Sequence, residues 1–232
     1  MSLLENILFI NLSHRVDRLQ HVTNQFQLLG ITHAERFNAI QTQSGAIGCS
    51  LSHIKCLEIA KKNNYKQIFI CEDDITFKNP ELFLENIQKF ENSEYYDNWD
   101  VLIIGGNNVP PYVQKTDYLI KISNCQTTTG YIVREHYYDV LIQNFKEGVN
   151  QLLKNPENKR EYAIDIYWKK LQQTDNWYMI VPPTVVQYEN YSDIEGRNVN
   201  YEHLLTDLNK EWLFRPPRWS NTMFSNMFSK HI

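Results

Sequence analysis

Three stretches of this chain, Ile7-Leu8-Phe9-Ile10, Ile68-Phe69-Ile70-Cys71 and Val101-Leu102-Ile103-Ile104, are continuous apolar runs with no polar residue alternating through them. A strand exposed on one face alternates, so runs of this kind describe strands buried on both faces. Between them lie helix-period segments. Val16, Leu19, Val22, Phe26 and Leu29 recur as one helical face, which Gly30 ends at the C′ position. Ile47, Leu51, Ile54, Leu57 and Ala60 mark a second helix reaching Lys62 and stopping at Asn63-Asn64, and Pro80 opens a third with Leu82, Phe83, Ile87 and Phe90. With a further strand around 34–40, the order is strand, helix, strand, helix. That alternation predicts a parallel sheet carrying helices on both faces.

After Pro110-Pro111 the pattern changes. Residues 118–122 and 127–133 read as strands, the second running into a helix over 135–145, so the sheet is expected to become mixed. A helix over 164–171 and a strand over 177–181 precede Pro182-Pro183, and the remainder is rich in loops and aromatics. At 232 residues we expect one domain over 1–210, with a strand–helix half (1–105) and a mixed half (106–210). The tail 211–232, with Trp212, Phe214, Trp219 and Phe228 among Arg215, Arg218 and Lys230, is expected to pack back on that domain; peripheral contact with a membrane surface is the alternative.

A net charge of −4 with 23 dispersed basic residues argues against nucleic acid as a partner. Cys49, Cys56, Cys71 and Cys125 show no C-x-x-C spacing and are expected as free thiols. Residues 1–6 carry neither a basic nor an apolar targeting segment, and no stretch has the length of a membrane span, so a cytoplasmic site of action is expected.

The strand over 67–71 ends in Glu72-Asp73-Asp74. Side chains alternate along a strand, so Glu72 and Asp74 are expected to aim at one point, suited to Mg²⁺ or Mn²⁺ and to the phosphates of a nucleotide. The competing structural role is a solvated strand end with Asp74 capping a turn. Arg15 and Arg18 lie three apart at a helix start, where both can face one anion; alternatively Arg15 pairs with Asp17 at the surface. In Gly45-Ala46-Ile47-Gly48-Cys49-Ser50-Leu51-Ser52-His53 the i,i+4 pair Gly48 and Ser52 leaves one helical face nearly bare. Either a ribose or base edge fits there, with Ser52 or His53 donating a hydrogen bond, or the helix packs tightly with His53 buried. Asp165 and Asp193 are further acidic candidates, each also explicable as a cap or salt-bridge partner. In open α/β sheets ligands lie beyond the carboxyl ends of the strands, where Asn11, the triplet and Gly105-Gly106 are expected.

Taken together, Ile10-Asn11-Leu12 with Arg15 and Arg18, Phe37-Asn38-Ala39-Ile40, the segment 45–53 and Ile70-Cys71-Glu72-Asp73-Asp74 resemble glycosyltransferase family 25 in order and spacing. This family holds bacterial lipooligosaccharide galactosyltransferases and collagen galactosyltransferases. The resemblance covers residues 7–105 and thins beyond 133. It implies a GT-A type, Rossmann-like mixed sheet, a UDP-hexose donor (galactose or glucose), a glycan acceptor, Mn²⁺ or Mg²⁺, and inversion at the anomeric carbon. Carried over residue by residue, Asp74 and Glu72 would ligate the metal. Asn11, Arg15, Arg18, Ala39, Ser52, His53, Glu72 and Asp73 would line the donor pocket. Asp165, with Asp193 second, is the expected general base, on the ground that neighbouring Tyr167 and Trp168 offer aromatic faces to a sugar. Glu in place of Asp at the first triplet position departs from the Asp-x-Asp pattern. The residues alone also admit a nucleotidyltransferase acting on a sugar phosphate, or a UDP-sugar-binding relative without turnover.

Overall fold

The structure is a computed structural model, and it describes residues 2–192 and 196–214. In chain order the elements begin β1 (Ile7–Asn11), α1 (Val16–Leu28), β2 (Glu35–Asn38), α2 (Gly45–Lys62), β3 (Gln67–Glu72), β4 (Ile75–Phe77), α3 (Pro80–Glu91) and β5 (Val101–Asn108). They continue with β6 (Tyr112–Gln114), β7 (Leu119–Ile122), β8 (Cys125–Arg134), α4 (Tyr138–Lys154), α5 (Lys159–Tyr162) and α6 (Ile164–Tyr167). The last described are β9 (Trp177–Ile180), β10 (Val185–Gln187), β11 (Asn190–Ser192), β12 (Arg197–Val199), α7 (Glu202–Thr206) and α8 (Glu211–Phe214).

An eight-stranded mixed sheet, in the order β2-β1-β3-β8-β5-β9-β7-β6, organises the single domain. β2, β1 and β3 are parallel, β8 lies antiparallel between β3 and β5, and β9 is parallel to β5. The apolar runs are continuous because both faces are covered. Leu8, Ile10, Ile68, Ile70 and Ile103 join the core under α2 and α4, while Ile7, Phe9, Phe69, Leu102 and Ile104 join the core under α1 and α3. The helix stops behave as the sequence predicts: Gly30 adopts φ +68°, its N–H donating to the Gln27 carbonyl and that of Ile31 to Phe26. Asn79 caps α3 by accepting from the Leu82 N–H at 3.0 Å.

Several expectations need correction. β5 does not end at Gly105-Gly106; it runs to Asn108, and the register against β8 shifts on both sides of Gly105, so these glycines mark an irregularity within the strand. The helix expected over 135–145 is a 3₁₀ turn followed by α4, which extends to Lys154. The helix expected over 164–171 is one α turn that tightens into 3₁₀ form up to Gln173. In α8, Trp212, Leu213 and Phe214 are 47%, 47% and 65% exposed; residues 215–232, the rest of the expected tail, lie outside the described residues. No described helix is long and apolar enough to cross a membrane.

Candidate active site

β1, β3 and β5 point the same way, and their carboxyl ends open on one cavity of about 700 Å³. Asn11, the last residue of β1, is almost fully buried. Its amide donates to the Arg15 carbonyl (3.1 Å) and to Asp73 Oδ2 (2.7 Å), tying the β1–α1 turn to the triplet. Arg18, one turn into α1, donates to Asp73 Oδ1 (2.9 Å), Asp74 Oδ2 (3.3 Å) and the Tyr191 carbonyl (3.0 Å). Burial opposes its charge, but Asp74 and Asp73 outweigh burial and hold the guanidinium above its ordinary pKa. Arg15 chelates Asp17 (3.0 and 2.8 Å) and also reaches the Tyr191 carbonyl at 3.1 Å. The two arginines therefore converge, as their spacing predicts. The point of convergence is a backbone carbonyl of the β11 segment, and the anions on Arg18 belong to the chain itself.

The triplet divides between two walls. Glu72 turns toward α2 and β8, where the Thr128 hydroxyl donates to Oε1 and His53 Nε2 lies 3.6 Å away. Asp73 and Asp74 turn toward α1. Burial would raise Glu72, but His53, the Thr128 hydroxyl and Arg18 outweigh it and keep this carboxyl ionised below its ordinary range. Asp74 is pushed up to about 8, first by burial and then by the charge of Glu72. Burial likewise raises Asp73. Asp74 Oδ1 is buried with no hydrogen-bond partner. A buried, unpaired carboxylate oxygen that feels the charge of Glu72 has the donor chemistry of a hard divalent cation site, and the residues present fit one.

Asp165, at the start of α6, lines the same cavity on the β8 side. Its Oδ2 accepts the Thr127 N–H at 3.1 Å, and Thr127 holds φ +83°, a strained value for a β-branched residue. Burial raises the Asp165 carboxyl, with the charge of Glu72 adding to the effect.

The sequence profile of glycosyltransferase family 25 (LPS biosynthesis protein) matches residues 42–166, more than half of the chain. The chain belongs to glycosyltransferase family 25. A "Glycosyltransferase 25 family member" of Anopheles gambiae is 22% identical over 195 residues, which cover 71% of this chain and 31% of that protein. The chain thus spans under a third of the length of this curated relative. Among solved structures, a glycosyltransferase involved in the glycosylation of the major capsid of PBCV-1 aligns with TM-score 0.47 and 8% identity, over 87% of this chain and 88% of that one. A197 from STIV aligns with TM-score 0.45 and 11% identity, over 84% and 93% of the two chains.

Within this family 25 chain, Asn11, Arg15, Arg18, Ala39, Ser52, His53, Glu72, Asp73, Asp74 and Asp165 are brought to one place; Asp193 lies outside the described residues. Two supporting arguments change. The bare face of α2 is filled by the chain, because a Cβ on Gly48 would lie 2.5 Å from the Ile40 carbonyl oxygen. Ser52 Oγ accepts the Ile40 N–H at 2.9 Å and donates to the Gly48 carbonyl at 2.7 Å, so its hydroxyl is engaged internally. Trp168 offers no face to a sugar: it is fully buried, donates to the Cys125 carbonyl and packs on Tyr131 and Trp177. Tyr167 turns to Glu147 and Lys170. Sequence reasoning missed Thr127, the Thr128 contact to Glu72, Asn107 at the end of β5, and Cys49 as a cavity residue. For Cys49 the sequence held an unread signal, the Cys49-x-x-x-His53 spacing on one helical face.

Proposed function

We propose that this family 25 chain is a metal-dependent hexosyltransferase, moving galactose or glucose from a UDP-sugar to a hydroxyl of a glycan acceptor with inversion. The observation that carries the reading is the unpaired, buried Asp74 Oδ1 in a cavity that Glu72, Asp73 and Asp165 also line. Asp74 and Glu72 would hold Mn²⁺ or Mg²⁺, with Arg18 and Asn11 fixing the neighbouring Asp73. A cation held there supplies Lewis-acid neutralisation of the charge that grows on the departing diphosphate.

Asp165 is the proposed base. As the acceptor oxygen bonds to the anomeric carbon, the bond from that carbon to the diphosphate oxygen breaks, and the acceptor proton passes to the Asp165 carboxylate. Burial raises this carboxyl toward the pKa of a useful base, and the Thr127 N–H orients it. Arg15 and Arg18, anchored to the Tyr191 carbonyl, tie the β11 segment to the donor side of the cavity. Transfer from UDP-galactose and UDP-glucose, measured by mass spectrometry across a glycan acceptor panel with added Mn²⁺, tests the reading. We expect product with the wild type and none with Asp74→Asn; full-rate transfer by Asp74→Asn in chelator would defeat the proposal.

A further inference from the structure

On the α2 side of Glu72 lies a second set of donors with different chemistry. Cys49 and His53 are four apart on α2, so they share one helical face directed at the end of β3. Cys49 Sγ is 3.9 Å and His53 Nε2 3.6 Å from Glu72 Oε1, and ligand atoms of all three lie within 4.8 Å of one another. A tetrahedral ion with bonds of about 2.0–2.3 Å keeps its ligands about 3.3–3.7 Å apart, so these atoms stand a small side-chain rotation from enclosing one.

His53 is the second, independent observation. It is fully buried, and Nε2 has no hydrogen-bond partner, although a buried ring nitrogen ordinarily has one. Nδ1 lies 2.8 Å from the hydroxyl of Tyr131, itself fully buried. An ion held by Nε2 needs Nδ1–H as the donor to that hydroxyl, and its uptake displaces the proton that Nε2 directs at Glu72 in the metal-free protein. Metal-bound histidines are oriented in this way by a hydrogen bond on the other ring nitrogen. The Thr128 hydroxyl on Glu72 Oε1 supports the carboxylate similarly.

We propose that Cys49, His53 and Glu72 form a site for a borderline-soft transition cation of the Zn²⁺ class, its fourth position open to the cavity. Thiolate and imidazole select Zn²⁺ or Co²⁺ over Mg²⁺, whereas the all-oxygen set around Asp74 also suits Mg²⁺ and Mn²⁺. Glu72 is common to both sets. Where the function proposed above holds, Zn²⁺ taken up by Cys49 and His53 draws Glu72 out of the oxygen site and antagonises Mn²⁺-dependent transfer.

The test is titration of the reduced, metal-free full chain with Co²⁺, followed by absorption spectroscopy. We expect a thiolate-to-cobalt charge-transfer band with four-coordinate d–d bands, saturating at one equivalent and abolished by Zn²⁺. Cys49→Ser is expected to remove the charge-transfer band while circular dichroism stays native, and Asp74→Asn to retain it. Absence of the band in the wild type, its survival in Cys49→Ser, or its loss in natively folded Asp74→Asn would each overturn the proposal. Because the readout is spectroscopic and Asp74→Asn removes the oxygen site, failure here is distinguishable from failure of the transferase reading.

Discussion

Two carboxylates that feel each other's charge do not both ionise freely, and here Asp74 is raised by burial and by the charge of Glu72, while Glu72 is held ionised by His53, the Thr128 hydroxyl and Arg18. The sign of the pH effect follows. Without a cation, the folded chain retains a proton between the ordinary carboxyl pKa of 3.8 and about 8 that the unfolded chain has released. Stability therefore falls as pH rises through that window. Urea midpoints of cation-free protein at pH 5 and pH 8 should show this decline, and Asp74→Asn should flatten it. A cation must displace the same proton, so Mn²⁺ affinity is expected to climb by up to about tenfold per pH unit below 8, measurable by calorimetry. For Asp165→Asn, the side-chain oxygen still accepts the Thr127 N–H but cannot take a proton. We expect kcat to fall by about 10²–10⁴ with the thermal midpoint nearly unchanged.

The position of the triplet at the end of β3 and of Arg18 at the start of α1 was legible, but the directions of Glu72 and Asp74 were not. β3 ends at Glu72, so strand alternation does not reach Asp74, which lies in a turn and meets Arg18 while Glu72 meets Thr128. That Arg18 is spent on Asp73 and Asp74 was not legible, since the contact joins residues 55 and 56 apart in sequence. Cys49 escaped notice for a different reason: its informative neighbour is a histidine one helical turn away, and cysteine spacing alone does not reveal that.

Elements whose period is written locally, α1, α2, α3 and the buried strands, were readable in kind and nearly in extent. Their neighbours were not. Periodicity identifies 127–133 as strand but carries nothing about its insertion between β3 and β5, and the short pairings β4–β10 and β11–β12 have too few residues to display a period. α2 yields a test at this scale. Alanine ordinarily stabilises a helix relative to glycine, but at Gly48 a Cβ meets the Ile40 carbonyl oxygen at 2.5 Å. Gly48→Ala is therefore expected to destabilise the fold by about 1–3 kcal/mol, read as a lowered urea midpoint at unchanged m-value.

For the molecule as a whole, a buried carboxyl cluster that shares one guanidinium is a standing cost that a native-state ligand offsets. Mn²⁺ with UDP at about a hundred times its dissociation constant should add roughly 2.7 kcal/mol to stability. Thermal-shift measurements should record a rise that chelator reverses and that Asp74→Asn does not show.

The antiparallel placement of β8 fixes the scale of the floor beneath that ligand. With one strand intervening, the tips of β3 and β5 stand about 9–10 Å apart, and the gap is bridged by the incoming residues Thr127 and Thr128. With β5 directly beside β3 the tips would stand at half the distance, and a parallel strand between them would bring its carboxyl end, not its entering residues, to the gap. The reversed strand thus works as a spacer whose entering residues, the Thr127 amide and the Thr128 hydroxyl, pin Asp165 and Glu72 at the base of the gap.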